Sequence, residues 1–329
     1  MNFEINKFLE KYYNENEPII LACSTWPDSM FLLYEILKTK YAKNLVACYF
    51  NHKLRKDADD EEVFLEKLWE KMWFKVEIWN AKIKEIRDNF YPSLWLEEVA
   101  REKRYAFLNA ILNIYNNDKI ITWHHLDDKI ETFFFNLVRW TKLTGLINMT
   151  EKSSGILRPL INIEKKEILN YLNENKLEYK IDESNFDTDI SRNKLRHDII
   201  PQFEKINSNY KSNISNLISY FEEIKEFLDK QVADFLYEQW ILIFNSWKYK
   251  INTLEINGYF YINDFIKLSS LLQKEIIKHI FYVSNNKSTI WLSEANIAEV
   301  IRFINGKNNK TVKEIKEMKL KKENTIIIF

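Results

Sequence analysis

Glycine is what this sequence has least of: 4 residues in 329, where an average chain of that length carries about 23. A phosphate-cradling turn of the usual glycine-lined kind has almost nothing to draw on. Cysteine is nearly absent too. Cys23 and Cys48 both sit in apolar, strand-like runs, which excludes a disulfide framework or a cysteine metal cluster and predicts buried free thiols. Neither sign of charge is in excess, with 48 Lys+Arg against 48 Asp+Glu. No global field attracts nucleic acid, so RNA contacts have to come from local basic patches. No apolar run approaches the ~20 residues that a membrane span needs. The opening MNFEINKFLEKYYNENEP is amphipathic and carries acids, unlike a signal or transit peptide. A cytoplasmic protein with no membrane association is expected. What is present is a globular composition, 46% hydrophobic and 29% charged, long enough for one large or two ordinary domains. Ten tryptophans stand against the four glycines. The abundance of Lys, Asn and Ile suggests an A/T-rich genome, which thins glycine but should thin tryptophan as well.

Ile19–Cys23, Asn44–Phe50, Lys75–Ile78 and Lys119–Thr122 read as short buried strands. Between them lie helical patterns: residues 1–15, Ser29–Lys38, Asp59–Trp73 with apolar side chains at 63, 64, 65, 68 and 72, the run SLWLEEVAREKRYAFLNAILNIY, and LDDKIETFFFNLVRW. This alternation predicts an α/β fold, a parallel sheet with helices on both faces. Ligands in such sheets bind beyond the carboxyl ends of the strands. Ser24–Ser29, Asn51–His52 and His124–Asp128 each follow a strand directly, so the three polar clusters converge on one edge. From about Glu164 the alternation stops. A helix, EKKEILNYLNENKLEY, precedes KIDESNFDTDISRNKLRHDIIPQFEKIN, and a helical stretch then leads to a smaller unit of short strands and helices. We place the division at 1–215 and 216–329, although no linker composition marks it.

Each cluster has a plain reading and a chemical one. In Ser24-Thr25-Trp26-Pro27-Asp28-Ser29 the plain reading is a capped helix start. The chemical one is an anion site at a strand-to-helix turn, with Mg²⁺ between Asp28 and phosphates. Asn51 and His52, followed by Arg55 and Lys56, read alone as a solvated turn. Asp128 and Glu131 share a helical face, and His124, His125 and Asp127 lie at its N-terminal end. Acids complement a helix dipole there, yet this many acids and histidines at a strand end call for a cationic partner. They suit an amine or Mg²⁺ better than a closed zinc site. Arg101 and Arg104 follow Glu97 and Glu98 by a turn, which fits intrahelical pairing. Arg192, Lys194, Arg196 and His197 fit either a salt-bridged connection or contacts to a phosphate backbone.

In this order, STWPDS, NHKLRKDADDEE, LEEVAREKRY, HHLDDKIETFFFNLVRWTKLTGL, RPL and DESNFDTDISRNKLRHDIIP resemble the tRNA(Ile)-lysidine synthetase family of the ATP-pyrophosphatase (PP-loop) superfamily. The resemblance covers residues 19–210. The remainder looks like the family's first C-terminal domain, and the further domain of longer members is expected to be missing. The resemblance implies the adenine nucleotide alpha hydrolase-like sheet over residues 1–215, then a helical linker and a small α+β, tRNA-contacting domain. It implies a ligase joining the ε-amine of L-lysine to carbon 2 of the wobble cytidine of CAU-anticodon tRNA(Ile), through an adenylated cytidine.

By the same resemblance, Ser24, Thr25, Trp26, Pro27, Asp28 and Ser29, with Asn51 and His52, would hold ATP. Asp28 and Asp127 would hold Mg²⁺, and Asp128 and Glu131 would hold the lysine, with Arg104 orienting or neutralising the acids. Asp28, Arg104, Asp128 and Glu131 form the expected catalytic set. His124, His125, Arg192 and Arg196 are further substrate-binding expectations, and Arg192, Arg196 and the strip Lys307–Lys322 are expected at the tRNA backbone. A homodimer is left open. The related thiolation of tRNA cytidines would need paired CxxC cysteines, which are missing here. Where the family has glycine this chain has Trp26 and Trp140, and by extension Trp73, Trp95, Trp123 and Trp291. Drift does not exchange glycine for tryptophan repeatedly, so the expectation is a gene that reads UGA as glycine. The alternative is a catalytically dead nucleotide- or tRNA-binding protein whose loop is blocked by Trp26.

Overall fold

The computed structural model describes residues 4–54, 58–139, 142–147, 149–180, 193–245, 258–285, 288–289, 291–309 and 311–329, with only the backbone of 239–245. The chain divides into two compact units, Met1–Ser219 and Tyr220–Phe329. One helix, Tyr210–Asn245, runs through that division, which is why no proline- or glycine-rich linker marks it.

In the first unit, β1 (Ile19–Ala22) and β2 (Leu45–Asn51) are buried along their whole length, as strands covered on both faces must be. Their side chains alternate between two cores. Ile19, Leu21, Ala47 and Tyr49 pack with α1 (Ile5–Tyr12), α2 (Pro27–Leu37), α3 (Ala58–Met72) and α8 (Lys165–Glu174). Ile20, Ala22, Val46, Cys48 and Phe50 pack with α4 (Ile83–Phe90) and α5 (Leu96–Ile114). Each fully buried Ile or Leu contributes about 1.5–3 kcal/mol. Cys23 joins the first core and Cys48 the second, so the two free thiols lie on opposite faces of the sheet.

The strand order is β3-β2-β1-β4-β6-β5, with β3 at Lys75–Asn80, β4 at Ile120–Ile121, β5 at Lys152–Ser153 and β6 at Ile156–Leu157. All neighbours are parallel except β5, which is antiparallel to β6. From β1 the chain steps outward to β2 and β3, then returns to the other side of β1 for β4. Strand order therefore reverses between β1 and β4, and the loops leaving these two strands flank a crevice at their carboxyl ends. Sequence periodicity did not anticipate α4 or the β5–β6 hairpin, whose strands are two residues long. The hairpin's turn carries Ser154 at φ 49° and Gly155 at φ 79°, which suits a primed two-residue turn. A Cβ on Gly155 would come within 2.6 Å of the Asp118 carbonyl oxygen.

The second unit has its own core, including Phe260, Phe265, Ile277, Phe281 and Val300. An antiparallel sheet in the order β7-β10-β9-β8 covers it, built from β7 (Tyr259–Tyr261), β8 (Thr311–Ile315), β9 (Met318–Glu323) and β10 (Ile326–Ile328). The basic strip expected there is largely engaged. Lys322 is buried, and its ammonium donates to the carbonyls of Ile304 (2.7 Å) and Gly306 at the end of the helix Glu294–Asn305. A cation is favourable at that helix end. Lys313 pairs with Glu299, Lys319 with Glu314 and Lys321 with Glu323. Among the described residues no helix is long and apolar enough to cross a membrane.

Candidate active site at the sheet's switch point

The loop after β1 is held by its own hydroxyls. Ser24 N–H donates to Ser29 Oγ (3.1 Å), and Ser29 Oγ–H is within reach of the Trp26 carbonyl (3.0 Å) and of the Ser24 carbonyl. The Thr25 carbonyl accepts the Lys180 N–H at 2.8 Å. Trp26 is the N-cap of α2 at φ −81°, ψ 160°, with Pro27 opening the helix. That is extended backbone open to any residue, so the indole acts through its bulk, not through strain. Asp28, in the first helical turn, is buried. Its Oδ2 lies 3.3 Å from Lys165 Nζ and 3.8 Å from His125 Nε2, while its Oδ1 is buried with no hydrogen-bond partner.

The loop after β4 leads into α6 (Leu126–Val138). His125 caps that helix reciprocally: its Nδ1 accepts the Asp128 N–H at 3.4 Å, and Asp128 Oδ2 accepts the His125 N–H at 3.1 Å. With Nδ1 an acceptor, neutral His125 carries its proton on Nε2, facing Asp28 and Asp128 Oδ2, the latter 3.4 Å away. His124 stacks on Trp123 and bonds Thr122 Oγ1 at 2.9 Å. Burial pushes its imidazole down to about 4, against the pull of Asp128, so it is neutral at pH 7. Glu131 is buried and gripped by Arg196 through two parallel bonds, Nε–Oε1 at 2.5 Å and Nη2–Oε2 at 2.9 Å. The hydrogen bonds to Glu131 raise the Arg196 pKa above its ordinary value. Arg196 sits in a π-helical turn, Leu195–Ile199, a geometry that often re-aims side chains at functional sites.

Two cavities open at this edge. One, of about 410 Å³, is mostly apolar, walled by Phe50, Leu96, Ala100, Phe107 and Leu108, with Ser24, Asn51, His52 and Arg104 as polar lining. The other, also about 410 Å³, is lined by Asp28, His125, Asp127, Asp128, Glu131, Lys165, Arg196 and Lys211. Trp26 and Trp123 line both. Thr25, Pro27, Ser29 and His124 shape the loops and are not among the lining residues of either.

The structure thus brings the expected acids together, with their cations differently arranged from expectation. Arg104 lines the apolar cavity, where burial lowers its pKa, and Arg196 is the cation on Glu131. Asn51 lines the apolar cavity while its amide bridges to the Ala58 carbonyl, Asp59 and Glu62. Asp127 is held by protein donors, the Lys165 N–H at 2.8 Å and Lys211 Nζ at 2.7 Å, which outweigh burial and lower its pKa. It is an anchor between α6, α8 and the helix Tyr210–Asn245. Among the described residues no group of three or more His, Cys, Asp or Glu is arranged to hold a metal. Asp28 Oδ1 is the orphan oxygen that fits Mg²⁺, an ion that takes one or two carboxylates and completes its shell with phosphate and water oxygens. Arg192, Trp140, Arg55 and Lys56 lie outside the described residues.

Sequence reasoning missed Lys165, Lys211 and the buried Arg158, whose Nη1 holds the Thr150 carbonyl at 3.0 Å. Lys165 had a signal, since EKKE opening a helix is a capping-box pattern and the box is formed by Glu164 and Glu167. Arg158 opens the RPL motif, though no role was assigned to it, and Lys211 had no signal.

A PP-loop domain family matches residues 1–203. Among curated proteins, the tRNA(Ile)-lysidine synthase of Petrotoga mobilis is 32% identical over 230 residues, 68% of this chain and 73% of that protein. That of Thermosipho africanus is 35% identical over 68% of this chain and 54% of the relative. That of Persephonella marina is 29% identical over 95% of this chain and 67% of the relative. The match thus spans between about half and three quarters of these relatives' length. Among solved structures, the U34-tRNA thiolase NcsA of Methanococcus maripaludis with its [4Fe-4S] cluster superposes with TM-score 0.54 at 18% identity, over 68% of this chain and 78% of that one. This last likeness concerns the fold alone. With residues 1–203 matched and the motifs of β1, β4 and α6 gathered at one switch point, the chain belongs to the tRNA(Ile)-lysidine synthase family of PP-loop enzymes.

Proposed function

We propose that this chain joins L-lysine to carbon 2 of the wobble cytidine of a CAU-anticodon tRNA(Ile) in the cytoplasm, using ATP. The observation that carries this reading is the pair of cavities meeting at Trp26 and Trp123, one apolar and one acidic. The apolar cavity suits an adenosine between Phe50, Phe107 and Leu108. The Ser24–Ser29 loop and the N-terminus of α2 suit the phosphates. The carbonyl oxygen on carbon 2 attacks the α-phosphorus and pyrophosphate leaves. The lysine ε-amine then attacks carbon 2, a C–N bond forms, the C–O bond to AMP breaks, and the amine loses a proton. Asp128 and Glu131 suit the amine and sit where a carboxylate could accept that proton. Arg196 grips Glu131, so an incoming ammonium would share or replace that guanidinium. Asp28 would hold Mg²⁺, which supplies charge neutralisation for the departing pyrophosphate. The cytidine must leave its stack to enter. The test is pyrophosphate release with ATP, lysine and CAU-anticodon tRNA: release that needs all three supports the reading, and release indifferent to lysine or tRNA removes it.

A second reading concerns the tryptophans. We propose that the gene reads UGA as glycine, so that the cell makes glycine at several of these positions. Two tryptophans lie in the left-handed region, Trp73 at φ 56° and Trp291 at φ 82°, where a bulky residue is an outlier and glycine is at ease. Trp73 directly follows α3, its N–H bonded to the Trp69 carbonyl at 2.8 Å, the place where helices most often carry glycine. UGG codons at 26, 73, 123 and 291, or indoles found by mass in the native protein, would remove this reading. The chain as written would then be a nucleotide- or tRNA-binding protein with an obstructed loop.

A further inference from the structure

Before Mg²⁺ and ATP arrive, buried Asp28 needs a cation from the protein itself. A buried carboxylate at a phosphate loop repels the triphosphate that the loop would accept, and among the described residues one lysine ammonium stands against it. Lys165 Nζ lies 3.3 Å from Asp28 Oδ2. The lysine opens α8, which packs along α2. The base of this side chain is fixed: its own N–H donates to Asp127 Oδ2 at 2.8 Å, and Asp127 is held in turn by Lys211. Its tip is accessible. The Lys165 side chain is 43% exposed whereas that of Asp28 is 8%, and both line the acidic cavity beside Trp26. A four-carbon stem anchored at the root and carrying a solvent-accessible point charge is a common phosphate-binding device.

We propose that Lys165 is a further nucleotide-positioning residue, the counter-ion of Asp28, whose ammonium transfers to the β- and γ-phosphate oxygens when ATP binds. The exchange keeps Asp28 from standing as an uncompensated buried charge before the nucleotide arrives. It also places a cation beside the pyrophosphate as it departs. This inference rests on ATP occupying the Ser24–Ser29 loop.

The experiment measures equilibrium affinities of the full chain for ATP, AMP and inorganic pyrophosphate in Mg²⁺ buffer by calorimetry, for the wild type, Lys165→Met and Lys165→Arg. Each protein's melting curve is recorded to establish that it is folded. Lys165→Met is expected to weaken ATP and pyrophosphate about 10- to 100-fold, the worth of a charged hydrogen bond, and to leave AMP unchanged. Lys165→Arg is expected to recover most of the loss, because the effect is one of charge. Should the wild type bind ATP and Lys165→Met bind it equally well, or lose AMP in the same proportion, the assignment to the β- and γ-phosphates is overturned while the nucleotide site stands. If the wild type binds neither ATP nor pyrophosphate, the site and this inference fall together.

Discussion

The two cavities have the same volume and opposite construction. The apolar one is walled largely by side chains from β2 and α5 that belong to a core, with a few polar residues among them. The acidic one mixes apolar walls with charges that are already paired: Arg196 with Glu131, Lys165 with Asp28, Lys211 with Asp127. The first can receive a ligand by desolvation alone, with its surroundings in place. The second must exchange ion pairs, so its ligands have to match the charges they displace. On the proposed function, that difference would separate a pocket for the nucleoside from one that selects an amine and a polyphosphate.

The sharpest way to break the comparison is to neutralise one acid. Glu131→Gln keeps the size and one acceptor of the side chain, so the apolar cavity should still take ATP with unchanged affinity. Lysine-dependent turnover should fall about 100- to 10,000-fold, the range for removing a positioned proton acceptor. Steady-state kinetics beside ATP binding separate the two. An equal loss in both would mean that the cavities are one unit.

Arg196→Met tests the pairing from the other side. Glu131 is only 9% exposed and would be left without its cation. Discounted for the 42% exposure of the arginine side chain, the loss should be about 1–3 kcal/mol in urea unfolding at pH 7. Arg196→Lys should restore part of it, since lysine lacks the planar fork that meets both carboxylate oxygens.

How much of this was legible beforehand follows the kind of interaction. The sheet could be read because Ile19–Ala22 and Leu45–Asn51 are apolar on both faces, a pattern that one sequence displays. The acids could be read because Asp128 and Glu131 lie three apart on one helix. Their cations could not. Lys165, Arg196 and Lys211 come from three later elements, and which acid each one meets is decided by how α8 and the helices after it pack. Arg104 lines the apolar cavity, and the sequence carried no information on which of two cavities it would meet. Within the basic strip of the second unit one lysine escaped for a related reason: Lys322 occupies an inward position of β9, and only the fold reveals that helix carbonyls await it.

His124 gives a smaller effect and a sign. Its folded pKa, about 4, lies below its ordinary value of 6.5. Between these values the unfolded chain binds a proton that the folded chain refuses. Stability is therefore complete above pH 6.5 and declines as pH falls toward 4, with a slope of at most about 1.4 kcal/mol per pH unit. Unfolding curves across that window should show the slope, and His124→Gln should remove this residue's share of it. A wild-type profile already flat there would mean that His124 is not held neutral by its burial beside the acidic cavity.

The tryptophans sharpen the comparison last, because they divide by position. Trp26 and Trp123 stand between the cavities, and Trp123 also touches both cores of the first unit. Removing either indole changes the site as well as the packing. Trp73 is 88% exposed in the left-handed region and is not among the residues lining either cavity. Its backbone penalty of about 1–2 kcal/mol is partly offset by the roughly 0.5–1 kcal/mol that glycine forfeits through its freer unfolded chain. Trp73→Gly should therefore raise stability by about 0.5–1 kcal/mol and leave ATP affinity untouched, as urea titration and nucleotide binding would report together. Trp26→Gly, where φ is already extended, gains nothing from relieved strain. Any rise in ATP affinity in that variant belongs to the space the indole vacates between the cavities.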